Sequence, residues 1–153
     1  MSVLTAVPSA DRVKMQNVEI LFMEDLSRLR AKDLMRTEVI TASPDELVAA
    51  ARLRMIRRGV GGVPVVKNSK VVGILTLRDI EVAGDVVLLR KVGEIMTKDV
   101  VTISPNTPFF EILELMRKHG FQRLPVVERG RLVGIVTQSC IIETLLRVLK
   151  EKK

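Results

Sequence analysis

Residues 35 to 80 align with residues 96 to 141 at a constant offset of 61, without a gap, and 15 of the 46 aligned pairs are identical. Self-similarity at a fixed period restricts the chain to two copies of one structural unit, since each copy must satisfy the same packing pattern. The identities come in groups. Met35/Met96, Val39/Val100, Thr41/Thr102, Ser43/Ser104 and Pro44/Pro105 open each copy, and Met55/Met116 and Gly59/Gly120 follow. "PVV" recurs at 64 and 125, and Val72/Val133, Gly73/Gly134, Ile74/Ile135, Thr76/Thr137 and Ile80/Ile141 close the match.

Each copy reads locally as strand, helix, strand, strand, helix. "VITASPDE" runs an extended segment into a helix start, with Ser43 placed to cap, Pro44 at the first helical position and Glu46 completing a capping box. The second copy keeps Ser104 and Pro105 but carries Thr107 in place of the glutamate, which predicts half a box. Apolar residues then recur at helical spacing: Val48, Ala51 and Met55 in one copy, Phe109, Ile112, Leu113 and Met116 in the other. Basic residues in the last turn followed by Gly59 or Gly120 predict a left-handed helix stop. Two β-branched runs come next, joined by the polar turns "KNSK" and "ERGR", which is a hairpin pattern. A second helix is expected to begin at Thr76 or Thr137, short and ending near Gly84 in the first copy, long and amphipathic from Ile141 to Leu149 in the second. Ahead of the repeat, Val18, Leu21, Phe22, Leu26 and Leu29 form a helical stripe within residues 11 to 30, expected to pack on the repeats.

Composition narrows the function classes. A chain of 153 residues with 47% apolar content can bury a core, but with four Phe, no Tyr and no Trp it offers little platform for stacking single-stranded bases. Twenty-five Lys and Arg against 18 Asp and Glu give a net charge of +7, a surface suited to anions. One cysteine allows neither an intrachain disulfide nor a cysteine-based zinc site, and with a single histidine there is no ligand cluster for a metal. The opening "MSVLTAVPSADRVK" has too short an apolar run for a signal peptide, and no stretch suits a bilayer span, so a soluble cytoplasmic chain without membrane contact is expected.

The chemistry-bearing pattern is "GILTLRD", residues 73 to 79. Thr76 at a strand end can cap the following helix, and Asp79 can accept from two adjacent hydroxyls such as a ribose 2′,3′ pair, with Arg78 beside it for a phosphate. On sequence mechanics alone the same residues more readily form a plain capping pair on a helix dipole with no ligand. The second copy reads "GIVTQSC" and puts Cys140 where the first has Asp79. A neutral thiol is a weak hydrogen-bonding group and no substitute for an anionic acceptor.

These paired runs, from the Ser-Pro start through "LMRKHGFQRLPVVERGRLVGIVT" in the second copy, resemble a tandem of cystathionine β-synthase (CBS) domains, the pair known as a Bateman module. The likeness covers about residues 31 to 149. It implies an α/β (α+β) fold of two pseudo-symmetric β-α-β-β-α motifs, residues 31–90 and 91–149, packed sheet to sheet. An N-terminal extension with an amphipathic helix (residues 1–30) and a basic tail (residues 150–153) flank them. It further implies that the clefts between the motifs bind an adenosine-containing ligand, that the module is a regulatory sensor without catalytic activity, and that it forms a homodimer or acts on a partner protein. The residues matching the family's nucleotide signature are Ile74, Thr76, Arg78 and Asp79. By position, Lys98, Val100, Phe121 and Gln122 complete that cleft, with Val100 and Phe121 flanking adenine. Arg123 near the pseudo-axis would serve phosphates of either cleft, and Thr137 and Ser139 belong to the second. No cofactor is required; an adenine nucleotide (AMP, ADP or ATP) is the expected regulatory ligand, with S-adenosylmethionine or NAD as alternatives.

Gly61 and Gly62, opposite Arg123 in the repeat, read either as room for a ligand or as a flexible strand entry. Cys140 reads as a small buried residue, and His119 as a helix-end cation rather than a catalytic base. The arginines at 52, 54, 57 and 58 fit a solvated helix face more readily than a nucleic-acid surface. A purely structural dimerisation module with vestigial clefts is the other reading left open.

Overall fold

The computed structural model describes residues 9 to 151. Helix α1 (Ser9–Arg28) and the short α2 (Ala31–Leu34) precede the first copy, which comprises α3 (Val48–Arg58), β1 (Gly62–Lys67), β2 (Lys70–Thr76) and α4 (Leu77–Ala83). A 3₁₀ turn (Asp85–Leu89) and α5 (Val92–Ile95) lead to the second copy: α6 (Phe109–His119), β3 (Arg123–Glu128), β4 (Arg131–Thr137) and α7 (Gln138–Glu151). The strands form two antiparallel hairpins, β1 with β2 and β3 with β4, in matching registers. Asn68 and Ser69 in one turn, Arg129 and Gly130 in the other, take positive φ, as tight hairpin turns demand. Gly59 and Gly120 end α3 and α6 in the left-handed conformation at φ 66° and 69°.

Three expectations are corrected. The Ser-Pro segments open a turn, not a helix: α3 begins at Val48 and α6 at Phe109, four residues after each proline. The box still closes, but on that turn, where the Ser43 N–H donates to Glu46 Oε2 at 2.7 Å and the Asp45 N–H to Ser43 Oγ at 3.3 Å. In the second copy the Thr107 hydroxyl takes the glutamate's part, accepting from the Ser104 N–H at 3.0 Å, so the box is whole there too. The opening strand of each copy shrinks to a single parallel bridge, Ala42 with Val65 and Ile103 with Val126. Each bridge is held by two backbone hydrogen bonds, from Ala42 to Pro64 O and Val66 to Ala42 O, or from Ile103 to Pro125 O and Val127 to Ile103 O. Proline two residues on stops the ladder there.

Each copy is completed by a segment that precedes the other one. Ala31 and Leu34 lie in the core of the second copy with Phe109, Ile112 and Leu124, whereas Val92 lies in the core of the first with Val48, Met55 and Leu75. The backbone contacts repeat the 61-residue offset. Ala31 N–H donates to Thr107 O and Val92 N–H to Glu46 O, both at 2.9 Å; Lys32 donates to Pro105 O and Gly93 to Pro44 O, again at 2.9 Å. Arg36 then exchanges two hydrogen bonds with Ile135 of β4, as Thr97 does with Ile74 of β2. Close approach at these crossings requires glycine. A Cβ on Gly73 would stand 2.5 Å from Met96 Sδ and 2.9 Å from Thr97 O; on Gly134 it would stand 2.6 Å from Met35 Sδ and 3.0 Å from Arg36 O. The identical Met and Gly pairs of the repeat are therefore one contact used twice.

Helix α1 meets α6 and α7 only through its end. Leu26 is buried in the second core, with Phe22 and Leu29 packed against it, but Val18 and Leu21 of the expected stripe stay exposed. Ile20 and Met23, off the stripe, are exposed as well, so the helix carries apolar residues on more than one side and its 20 residues outreach the surface available to cover them. Among the described residues no helix is long and apolar enough to cross a membrane.

Candidate functional site

The exchange of segments leaves two clefts between the copies. The first, of about 650 Å³, lies where β2 runs into α4 and faces the extended run that follows Thr97. Thr76 ends the strand in extended conformation and its hydroxyl accepts from the Asp79 N–H at 3.0 Å, which fixes the first turn of α4. The Leu77 N–H is taken by Gly61 O at 2.9 Å, so it does not face an anion. The Asp79 carboxylate, half-buried, lines the cleft and makes no hydrogen bond to a described residue. Ile74, Val100, Val101 and Phe121 supply apolar wall, with His119 stacked on Phe121 at a centroid distance of 5.1 Å.

Of the first-cleft residues expected from the sequence, Ile74, Thr76, Arg78, Asp79, Val100, Phe121, Gln122 and Arg123 all line this space. Lys98 does not; it is exposed, between Thr97 and Asp99, which do. Asp99 and Glu81 also line the cleft, and pattern reading passed over both. Thr97 and Asp99 were findable because one precedes and the other lies within the Lys98–Val100 run, whereas Glu81 has no signal beyond its helical register two residues from Asp79. Between Lys98 and Val101 the backbone pairs with no other described backbone group, leaving an open edge along the wall.

Arg123 lines both clefts. Its guanidinium lies over the β1 entry: a Cβ on Gly62 would be 2.6 Å from its Nη1 and 2.7 Å from its central carbon, and one on Gly61 3.3 Å from Nη2. The glycine pair therefore makes room for this side chain, a use that neither sequence reading named. Burial pulls the Arg123 pKa down from its ordinary value, and the Asp79 carboxylate pulls against it.

The second cleft, about 520 Å³, holds Thr137 and Ser139 as expected, with Val39, Ile135 and Gln138. Cys140 does not line it: the residue is 2% exposed, sits in the second core, and its Sγ lies 3.3 Å from Thr137 Oγ1. Arg36 and Arg58, which the motif comparison did not single out, line this cleft with Arg123. Arg54, from the cluster read as solvated, instead braces the Ser-Pro turn by donating to Thr41 O at 2.8 Å and to Glu46. Among the described residues no group of three or more His, Cys, Asp or Glu could hold a metal ion.

The sequence model of the CBS domain family matches residues 31–83 and 92–147. The chain is 37% identical over 108 residues to a CBS domain-containing protein of Bacillus subtilis, YhcV, covering 69% of this chain and 77% of that one. It is 41% identical over 109 residues to inosine-5'-monophosphate dehydrogenase of Korarchaeum cryptofilum, but there it spans 71% of itself and only 22% of the relative's length. Among solved structures, a CBS-domain containing protein of Agrobacterium tumefaciens superimposes with a TM-score of 0.69 at 31% identity, over 76% of this chain and 98% of the other.

Proposed function

The chain belongs to the CBS domain family, and from that premise we propose that it is a non-catalytic regulatory module whose first cleft binds an adenine nucleotide. The observation that carries the reading is the Asp79 carboxylate: its backbone is tied down by Thr76, it lines the inter-motif cleft, and it has no hydrogen-bond partner among the described residues. A carboxylate so placed accepts from both hydroxyls of a ribose. Ile74, Val100 and Phe121 form the apolar wall a purine ring needs, beside the open backbone edge that can pair with its polar rim. Arg78 and Arg123 meet the phosphate. Because Asp79, Glu81 and Asp99 line the cleft against only these two arginines, AMP is favoured over ATP.

Occupancy is transmitted through a homodimer or a regulated partner protein. The exposed apolar residues Leu53 and Ile56 on α3, and Ile142, Leu146 and Leu149 on α7, support such a contact. A thermal-shift panel of AMP, ADP, ATP, NAD and S-adenosylmethionine tests the site. A ligand at about a hundred times its Kd adds about 2.7 kcal/mol, roughly 5 to 10 °C for a chain of this length. The shift disappears in Asp79→Ala if the reading is right. No shift with any of the five, or an undiminished shift in Asp79→Ala, would falsify it.

A further inference from the structure

The two clefts share a floor but differ in chemistry. Val39, Ile135 and Thr137 stand in the second where Val100, Ile74 and Thr76 stand in the first. The groups that would grip a nucleoside are missing from the second. Cys140 replaces Asp79 and faces the core, so no carboxylate occupies the ribose position. Val60 and Gly61 replace Phe121 and Gln122, so there is no aromatic wall. What the second cleft has instead is positive charge: Arg36, Arg58 and Arg123 against one acid, Glu38. The first cleft has two arginines against three acids.

We propose that the second cleft is a site for a multiply charged phosphate chain, recognised by charge and hydrogen-bond donors rather than through a base or sugar. Arg58, in the last turn of α3, makes no ion pair with a described residue, and Arg123 is half-buried, with Gln122 as a marginal hydrogen-bond partner at 3.5 Å and the Asp79 charge acting on it from the first cleft. Arg36 pairs with Glu143 at 2.8 Å, but both side chains are more than half exposed, and a surface pair of that kind yields readily to a denser anion. Gln138 and Ser139 add neutral donors to the lining. Three guanidiniums converging from three parts of the chain match the spread of charge along a phosphate chain and exceed what a single phosphate needs. The chain can be inorganic or borne on a nucleotide; the chemistry recognised is the same.

Isothermal titration of the full chain with tripolyphosphate tests the site, using Arg58→Gln, which removes a cation that lines only the second cleft, and Asp79→Ala, which removes an acid that lines only the first. Tripolyphosphate binds the wild type; Arg58→Gln weakens it by about tenfold or more, while Asp79→Ala leaves it as tight or tighter, since the Asp79 charge no longer holds Arg123 toward the first cleft. Binding also falls as salt rises, because exposed guanidiniums are screened. If ATP competes with tripolyphosphate and adenosine does not, the site takes chains carried on nucleotides; if neither competes, it takes inorganic ones. Both results support the proposal. Absence of tripolyphosphate binding, full affinity in Arg58→Gln, or loss in Asp79→Ala overturns it. AMP binding is read separately, so failure of the first-cleft reading leaves the tripolyphosphate result intact, and the reverse.

Discussion

Gly73→Ala probes the crossing that joins the two copies. The new methyl would stand 2.5 Å from Met96 Sδ, 2.8 Å from its Cγ and 2.9 Å from the Thr97 carbonyl oxygen. The thioether can swing aside, but the carbonyl accepts from the Ile74 N–H, one of a reciprocal pair of 2.9 Å hydrogen bonds between Thr97 and Ile74, and cannot retreat without breaking the pair. Losing that pair costs about 1 kcal/mol per bond, and expelling the partly buried Met96 from the first core costs a further 1 kcal/mol or so. A total near 3 kcal/mol lowers Tm by roughly 6 to 12 °C in a chain of this size. Scanning calorimetry measures it directly. The double variant Gly73→Ala with Met96→Ala is the sharper comparison: removing the thioether opens the space the methyl needs, so the double variant is more stable than the summed single costs by at least about 0.5 kcal/mol. Additive costs, or a Gly73→Ala protein melting within about 2 °C of wild type, would show that the crossing is not the close contact described.

Gly62→Ala is expected to melt within about 2 °C of wild type, because its methyl meets only the flexible end of Arg123, yet to weaken ligands of both clefts by displacing the shared guanidinium; titration against melting separates the two effects. Glu46→Gln bears on acid stability. Burial alone would raise the Glu46 pKa, but the Arg54 hydrogen bonds, the Ser43 N–H and the Arg54 charge outweigh it and hold the carboxyl below its ordinary value. A depressed native pKa stabilises above the unfolded value and is lost as pH falls through the native one, so the variant is about 1 kcal/mol less stable at neutral pH and the gap to wild type narrows as pH falls below the ordinary carboxylate range in denaturant titrations. Cys140→Asp places a carboxyl where the thiol is 2% exposed, and costs about 2 kcal/mol or more at pH 7. Because burial raises the native pKa of such a group, the penalty fades as pH falls toward about 4, the reverse of the Glu46→Gln trend.

The repeat, the hairpin turns, the left-handed helix stops and the Thr76 cap could all be read from short stretches, because each depends on neighbours within a few residues. The Ser-Pro start misled by four residues because Ser, Pro and Glu satisfy the same backbone groups in an isolated turn as at a helix end; only the bridges from Leu47 to Lys91 and from Pro108 to Arg30 show where the helices begin. The exchange of segments was invisible for another reason. Met35 and Gly134 are 99 residues apart, and nothing in their local pattern says that the methionine of one copy needs the glycine of the other. At the site, most of the first-cleft lining agrees with what the family resemblance implied by position, Lys98 excepted and Asp99 and Glu81 missed, but Arg36 and Arg58 of the second did not follow from it. Their role depends on which way the Ser-Pro turn and the end of α3 face, a property of packing rather than of spacing. Helix α1 was overread because a stripe of apolar residues says what is available to pack and not how much surface exists to receive it.

The inequality of the clefts follows from geometry at the pseudo-axis. Residues 62 and 123 occupy equivalent positions in the two copies, and the Arg123 guanidinium fits only because residue 62 has no side chain, a Cβ there already falling 2.6 Å from its Nη1. Two arginines at these positions would collide and repel, and two glycines would leave both clefts without a central cation. A duplicated module that places one cation between its clefts must therefore break its own symmetry, and the proposed ligands of the two clefts would share that one charge. With Asp79, Glu81 and Asp99 facing it from one side and Arg36 and Arg58 from the other, the guanidinium is drawn toward the first cleft when the second is empty. If both proposed sites bind their anions, an anion in the second cleft draws it the other way, and titrating AMP with and without tripolyphosphate is then expected to show each ligand weakening the other by the same factor.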